Sequence, residues 1–440
     1  MNDQWTACTV QDLVTEDVIE RPMDGNHGEL HPKTSDFVSS GIPFIMASDL
    51  KGGRVDTLSC KFILPEQAGT LRKGFAKTGD VLLSHKATIG RTALAGEIET
   101  DYLMLTPQVT YYRVLDETRL DRHYLKYYFD SRDFQEVFQS WAGAGSTRAY
   151  LGITAQLGLP VVVPPINVQR AIVDILGVLD CKIELNRQMN QTLEAMAQAI
   201  FKSWFVDFDP VTAKAEGRQP YGMNADTAAL FPTRFAESEL GPIPEGWEVS
   251  TIANIARYVN GKNFTKNATG SGRMVIRIAE LNSGPGASTV YNEIEAKEDN
   301  TAYPGDLLFS WSGSLGVYRW HRDEALVNQH IFKVIPQEFP QWFVYYQLLE
   351  AISFFQGIAA DKATTMGHIK REHLSQAKLA LPPAGLMAAM DNVVEHIYQR
   401  IHQNDRESIT LASIRDALLP KLLSGKIRVK DAGKQAEAVA

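Results

Sequence analysis

The chain has 440 residues, 44% of them hydrophobic, a formal net charge of -8 and three cysteines. That apolar content excludes a disordered chain and suffices for two or three buried cores, while three widely separated cysteines, Cys8, Cys60 and Cys181, exclude a disulfide framework and a Cys-rich zinc site. A negative total does not exclude a nucleic-acid partner, because the charge of one face is set by local distribution.

The opening MNDQWTACTVQDLV has no basic segment leading into an apolar one, and no run of eighteen apolar residues occurs. Neither a signal peptide nor a membrane span is expected, and the cytoplasm is the expected location. Residues 1–163 read as a first globular domain. Short apolar runs such as IPFIMASDL and GDVLLS, bounded by Gly, Pro, Asp and Ser, predict strands of a mixed sheet. His27 and His31 in HGELH stand four apart, but Pro32 breaks the helix that would align them, and no metal ligation is expected. Toward the end of the domain, HYLKYYFDSRDFQEVFQSW predicts helix, with Tyr124, Tyr127, Tyr128, Phe129, Phe134 and Phe138 as core. The loop GAGSTRAYLG follows, then an apolar run into Pro164-Pro165.

Residues 164–208 predict one long helix. Ile172, Leu176, Leu179, Ile183, Asn186, Asn190, Leu193, Ala197, Ile200 and Trp204 alternate spacings of four and three, the seam of a coiled coil. More than thirty residues at 1.5 Å each span on the order of 50 Å. Cys181 lies in this helix and is expected to pack. At its end Phe201, Trp204, Phe205 and Phe208 form an apolar cluster suited to docking a partner or to packing within the chain. Residues 209–240, rich in Pro, Ala and Gly and without a period, read as an extended connector.

Residues 241–381 then repeat the first domain, 382–425 repeat the helix, and 426–440 form a tail. Pro164-Pro165 recurs as Pro382-Pro383, Asn186 as Asn404 and Leu193 as Leu411, each 218 positions on. Gly79-Asp80 matches Gly305-Asp306, and Gly90 matches Gly316, at an offset of 226. The second seam is Met390, Val394, Ile397, Ile401, Asn404, Ser408, Leu411, Arg415, Leu418 and Leu422. In an antiparallel pair Ile172 meets Leu422, Asn186 meets Ser408 and Asn190 meets Asn404, and the buried amides fix register because a slip strands them against Leu or Ile. Arg415 falls opposite Leu179, which requires its guanidinium to leave the seam. The fold class that follows is α+β, with two pseudo-symmetric globular domains separated by two long antiparallel coiled-coil helices. The alternative is two amphipathic helices packed separately, each on its own domain.

Charge is uneven. From Val249 to Ala279 no acid interrupts Arg257, Lys262, Lys266, Arg273 and Arg277, and in the first copy Arg72, Lys73, Lys77, Lys86 and Arg91 stand against Asp80 alone. Such clusters suit phosphate contact, or are solvated surface with counter-charges elsewhere. Catalytic signatures are missing: the Pro-Pro pairs lack the Asp or Asn of an amino-methylation motif, GAGSTR and SGKI are incomplete nucleotide-binding patterns, and no Gly-x-Ser-x-Gly elbow occurs. No catalytic residue is assigned.

The duplicated layout, LPVVVPP and KLALPP entering long helices, VQRAIVDILGVLDCKIELNRQMNQTLEAMAQAIFKSWFVDF in the middle, LGPIPEGWEV opening the second half and IRDALLPKLLSGKIRV near the end resemble the specificity subunit of type I DNA restriction-modification systems. The resemblance covers nearly the whole chain. It implies two target-recognition domains on double-stranded DNA, each reading half of a split, asymmetric site, and helices that set the spacing and dock two methyltransferase subunits. Two restriction motor-nuclease subunits would complete the complex. The chain itself would be non-catalytic, with S-adenosylmethionine, ATP and Mg on the partner subunits and no cofactor here. The alternative is a duplicated protein-assembly scaffold without DNA readout.

Candidate DNA-binding residues are, in the first domain, Lys33, Thr34, Ser84, His85, Lys86, Thr88, Arg91, Ser146, Thr147 and Arg148. In the second they are Lys262, Asn263, Lys266, Asn267, Arg273, Ser310, Trp311, Ser312, Ser314, Lys362, Thr364, Thr365 and Lys370. Cations and small hydroxyl or amide side chains in loops are the types that contact phosphates and base edges.

Overall fold

The computed structural model describes residues 5–28, 31–143, 149–286, 288–361, 367–427 and 429–437. They form two units, Met1–Lys182 with Leu411–Ala440, and Ile183–Thr410. The long helices Ile166–Phe205 and Ala384–Leu423 each contribute a segment to both units.

In the first unit the strand Thr6–Thr9 pairs antiparallel with Pro160–Val163, so the domain's two ends are stitched together. Between them lie a four-stranded sheet, in the order Lys61–Ile63, Ile42–Ile45, Leu103–Leu105 and Phe75–Ala76, and a six-stranded one. The latter runs Met23–Asp24, Val109–Tyr112, Val81–Ser84, Thr92–Leu94, Gly53–Val55 and Leu50–Lys51. The central strands are apolar throughout because both faces are covered: Val81, Leu82, Leu83, Val109 and Tyr112 are all buried. Helices Arg122–Asp130 and Arg132–Trp141 start on the caps Asp121 and Ser131. They bury Tyr124, Tyr127, Phe129, Phe134 and Phe138, with Tyr128 half-buried.

The second unit repeats this plan. Glu248–Thr251 pairs with Lys378–Leu381 in the matching register. One four-stranded sheet runs Ala256–Asn260, Ile331–Pro336, Leu307–Ser310 and Gly316–Arg319, the other Tyr291–Asn292, Arg273–Ile276, Ala325–Val327 and Thr301–Ala302. Helices Gln341–Glu350 and Ile352–Asp361 follow. The Gly-Asp pairs do the same local work in both copies: the Asp80 carboxylate accepts from the Lys77 amide and that of Asp306 from the Tyr303 amide, 2.7 Å each. The Gly90–Gly316 match shifts by one residue. The Ser84 amide donates to the Arg91 carbonyl, whereas Ser310 pairs with Gly316 itself, so the second hairpin loop is a residue shorter.

The helices pack antiparallel. Asn186 reaches Glu407 and Ser408 while Asn190 reaches Ile401 and Asp405, the partner number falling as the residue number rises. Ile172, Leu176, Leu179, Asn186, Ile401, Asn404, Leu411, Leu418 and Leu422 are buried, and Ile183, Asn190, Leu193, Ile200 and Ile397 are half-buried. The expected amide layer is present, with Asn404 Nδ2 donating to Asn190 Oδ1 at 2.8 Å. Carboxylates outside the seam join it, since Glu407 and Asp405 accept from Asn186 and Asn190. Arg415 leaves the seam to bond Asp180 Oδ1 at 2.7 Å, and Tyr127 Oη donates to Asp180 Oδ2 at 2.6 Å, which ties the first domain to its helix.

Two expectations are corrected. Cys181 is exposed and does not pack. The connector is not featureless: Asp209–Ala215 and Ala225–Ala229 are short helices, started by Pro210 in the first turn and by the Asn224 side chain, and Val211 and Phe231 are buried in the second unit's core.

Candidate nucleic-acid interface

Each domain joins four loop segments edge to edge through main-chain bonds. In the first domain the hairpin loop after Ser84 is central: the His85 amide donates to the Gln108 carbonyl (2.8 Å), Leu151 to His85 (3.0 Å) and Ala87 to Ala149 (3.0 Å). The turn Thr106–Gln108 is closed by the Val109 amide on the Thr106 carbonyl, 3.1 Å, and Gly25 lies against the same turn. In the second domain Trp311 donates to His330 (3.2 Å), Ile369 to Trp311 (3.0 Å), Gly313 to Gly367 (3.1 Å) and Ile331 to Asn328 (3.1 Å). The bonds correspond one for one. Ala87 and Gly313 both adopt left-handed φ, 65° and 67°. A Cβ on Gly25 would sit 1.9 Å from the Leu105 carbonyl oxygen, and one on Gly261 2.1 Å from that of Asn328. Only glycine allows that approach, which brings Asn26 and Lys262 beside their turns.

On the first platform Lys86, Thr88 and Arg91 are exposed, and the Lys86 ammonium lies over Tyr150, 5.9 Å from the ring centroid. Arg91 also donates to the Ala47 carbonyl. Ser84 and His85 are buried, which corrects their assignment as direct contacts: Ser84 Oγ accepts from the Arg91 amide, and the His85 ring lies 3.0 Å from the Leu151 carbonyl. Burial holds the His85 imidazole below its usual range, although Asp24 and the Leu151 carbonyl pull the other way. Below it, burial pushes Asp24 up, but hydrogen bonds and charge from Lys73 and His27 outweigh this and hold Asp24 below the usual carboxylate range. Lys73 is thereby committed to the fold. Lys33 and Thr34 are exposed at a separate turn whose Asp36 carboxylate accepts from the Lys33 amide. Ser146, Thr147 and Arg148 lie outside the described residues.

On the second platform Lys262, Asn263, Ser314 and Lys370 are exposed, as are Lys266 and Asn267 on the loop that leads away from it. Trp311 is half-buried, its Nε1 donating to Asn260 Oδ1 at 2.9 Å, and Ser312 is nearly enclosed. Ser310 is buried and donates to the Ser314 carbonyl, so it shapes the loop and cannot reach a duplex. Lys362, Thr364 and Thr365 lie outside the described residues. The acid-free stretch is less positive in three dimensions than in sequence. Arg257 pairs with Asp299, Arg273 with Glu324 and Arg277 with Glu280, acids supplied from beyond the stretch. Lys262 and Lys266 have no such ion pair among the described residues.

The aromatic cluster ending the first helix is also corrected. Phe201, Trp204 and Phe205 are buried in the second unit's core against Phe343, Tyr346, Trp342 and Trp247, and Phe208 packs on Trp247 at 5.5 Å. A docking partner cannot reach the buried three. The platforms also hold Gln108, Gln329 and His330, which carry no charge cluster and which the sequence alone does not single out. The signal available was the alignment of LTPQV with VNQHI at an offset of 222, beside the already matched hairpins.

The sequence profile of the family described as "Type I restriction modification DNA specificity domain" matches residues 18–195 and 244–410. The chain is similar to the type I restriction enzyme HindI specificity subunit of Haemophilus influenzae, 28% identical over 316 residues, covering 60% of this chain and 68% of that one. It is similar also to the type I restriction enzyme MjaIX specificity subunit of Methanocaldococcus jannaschii, 25% identical over 374 residues, covering 80% and 78%. Among solved structures, the type I restriction-modification S subunit from M. genitalium aligns with a TM-score of 0.49 at 16% identity, covering 96% of this chain and 97% of that one. With two platforms joined by matching main-chain bonds and a family profile matched over most of its length, the chain belongs to the type I restriction-modification DNA specificity subunits.

Proposed function

We propose that this subunit binds double-stranded DNA sequence-specifically, each domain reading one half of an asymmetric bipartite site. The antiparallel helices fix the number of unread base pairs between the halves and dock two methyltransferase subunits, with two restriction motor-nuclease subunits completing the assembly. S-adenosylmethionine, ATP and Mg belong to those partners. The observation that carries the reading is the duplicated platform, the same main-chain frame bearing unlike exposed or half-buried polar side chains: Lys86 and Gln108 in one copy, Lys262 and His330 in the other, with Asn26 and Ser312 buried at the positions that match Lys262 and Lys86. Unlike readers on a common frame call for unlike half-sites. Exposed lysines supply affinity through phosphate contact, and polar tips supply discrimination in the groove.

Methylation mapping in a host carrying the complex tests this, and the expected result is one split motif with two different halves. Two identical inverted halves would refute the asymmetry. A gel shift on random duplexes, with and without the methyltransferase partner, separates DNA reading from a protein scaffold, since a scaffold retains no duplex in either lane.

A further inference from the structure

The turn after the strand Leu103–Leu105 in the first domain, and after Ala325–Val327 in the second, holds the middle of each platform. Its main chain is tied into the platform: the Gln108 carbonyl accepts from His85 and that of His330 from Trp311, while the first residue of each turn accepts from the strand that follows. The side chains of Gln108 and His330 are left to project. Gln108 is half-buried and His330 exposed. The side-chain Nε2 of Gln329 donates to His330 Nε2 at 3.2 Å, and the His330 ring leans on Trp311 at 5.4 Å, so the imidazole is held on two sides without being covered.

Resting on the DNA-binding reading, we propose that Gln108 and His330 are equivalent base-reading residues that set one base choice in each half-site, with Gln329 orienting His330. A side chain at the tip of a tight turn, flanked by phosphate-seeking cations such as Lys86 and Lys262, is where a base edge meets the protein once the backbone is gripped. Gln108 carries the paired donor and acceptor that match N6 and N7 of adenine. His330 offers one ring nitrogen beyond the one taken by Gln329, and so makes a single contact. The difference between Pro107-Gln108 and Gln329-His330 is then a direct source of asymmetry between the halves.

The test is methylation mapping with the full complex carrying Q108A, H330A or H330Q, alongside K262A. Q108A is expected to relax one base pair of one half-site by about 5- to 150-fold and leave the other half unchanged. H330A should do the same in the opposite half, and H330Q should shift the preferred base there toward adenine, a gain that misfolding cannot mimic. K262A should weaken all duplexes alike. A wild-type split motif kept intact in Q108A, H330A and H330Q overturns the inference and spares the function. A wild-type complex without any motif overturns both.

Discussion

Arg319 donates to the Glu194 carboxylate at 2.9 Å, and this bond joins the hairpin of the second domain to the first long helix. The guanidinium lies between two rings, 4.6 Å from the centroid of Tyr345 and 5.0 Å from that of Tyr398. The first domain solves the same problem differently. Leu94 occupies the position of Arg319, and Tyr127, the counterpart of Tyr345, bonds Asp180, whose other oxygen takes Arg415 from the second helix.

Removing Arg319 should therefore strand a carboxylate that is four-fifths buried. R319M is expected to lose about 3 kcal/mol, and R319M/E194M to regain at least half of it, because a buried pair replaced on both sides leaves no uncompensated charge. Urea midpoints of the two variants check this, and equal losses in both would show that the rings, not the ion pair, hold the arginine.

Asp405 provides a pH test. Burial raises its carboxyl to about 6, against about 3.9 in an unfolded chain, although Arg319 and Asn190 pull the other way. The folded state holds that proton more tightly, so its contribution to stability is complete below pH 4 and is lost as pH rises through 6. D405N cannot ionise. Its stability relative to wild type should improve by roughly 1 to 2 kcal/mol between pH 4 and pH 7.5, discounted for partial exposure. His321, 3.1 Å from Asp405 and held near 3 chiefly by burial, acts in the opposite sense but is common to both proteins. A pH-independent difference would show that Asp405 titrates normally.

The amide layer in the helix pair should behave as a register device. N404L leaves Asn190 Oδ1 without its donor and is expected to cost about 1 to 3 kcal/mol. N190L/N404L should recover stability while allowing the helices to slip. The readout is a thermal melt together with cross-linking of a cysteine pair placed across the seam, and a single cross-linking pattern in the double variant would deny the amides that role.

Charge pairing separates the cations of the second domain. K262A and K266A, lacking ion pairs among the described residues, should each reduce the slope of log K against log salt by about 1. R257A should reduce it less, since Asp299 already neutralises that arginine at 2.7 Å. Fluorescence anisotropy across a salt series measures all three, and equal slopes for wild type and both lysine variants would remove these lysines from the phosphate contacts.

Much of the architecture was legible in the chain because periodicity is a local record of packing. The seam from Ile172 to Ile200, the Asn190–Asn404 contact and the need for Arg415 to leave the interface all follow from spacing alone. The site was less legible. Ser84 and Ser310 look like hydroxyl donors in a loop, yet they end buried strands, and only the strand order shows which way they face. Arg257 and Arg273 look unpaired because Asp299 and Glu324 are distant in sequence and close in space. Gln108 and His330, the proposed readers, do not stand out in the chain, since an uncharged residue in a three-residue turn leaves no compositional mark. Phe201, Trp204 and Phe205 were ambiguous for another reason: an apolar helix end reads the same whether a neighbouring domain or a separate protein covers it.

The frame under each platform is joined by amides and carbonyls, as in the bond from His85 to Gln108 and its twin from Trp311 to His330. An amino acid exchanged at position 108 or 330 changes what is displayed and leaves those joins untouched. Under the proposed base-reading role, a lineage carrying this subunit would move from one target to another by single replacements that spare the main-chain frame, one domain changing its preference while the other keeps its own.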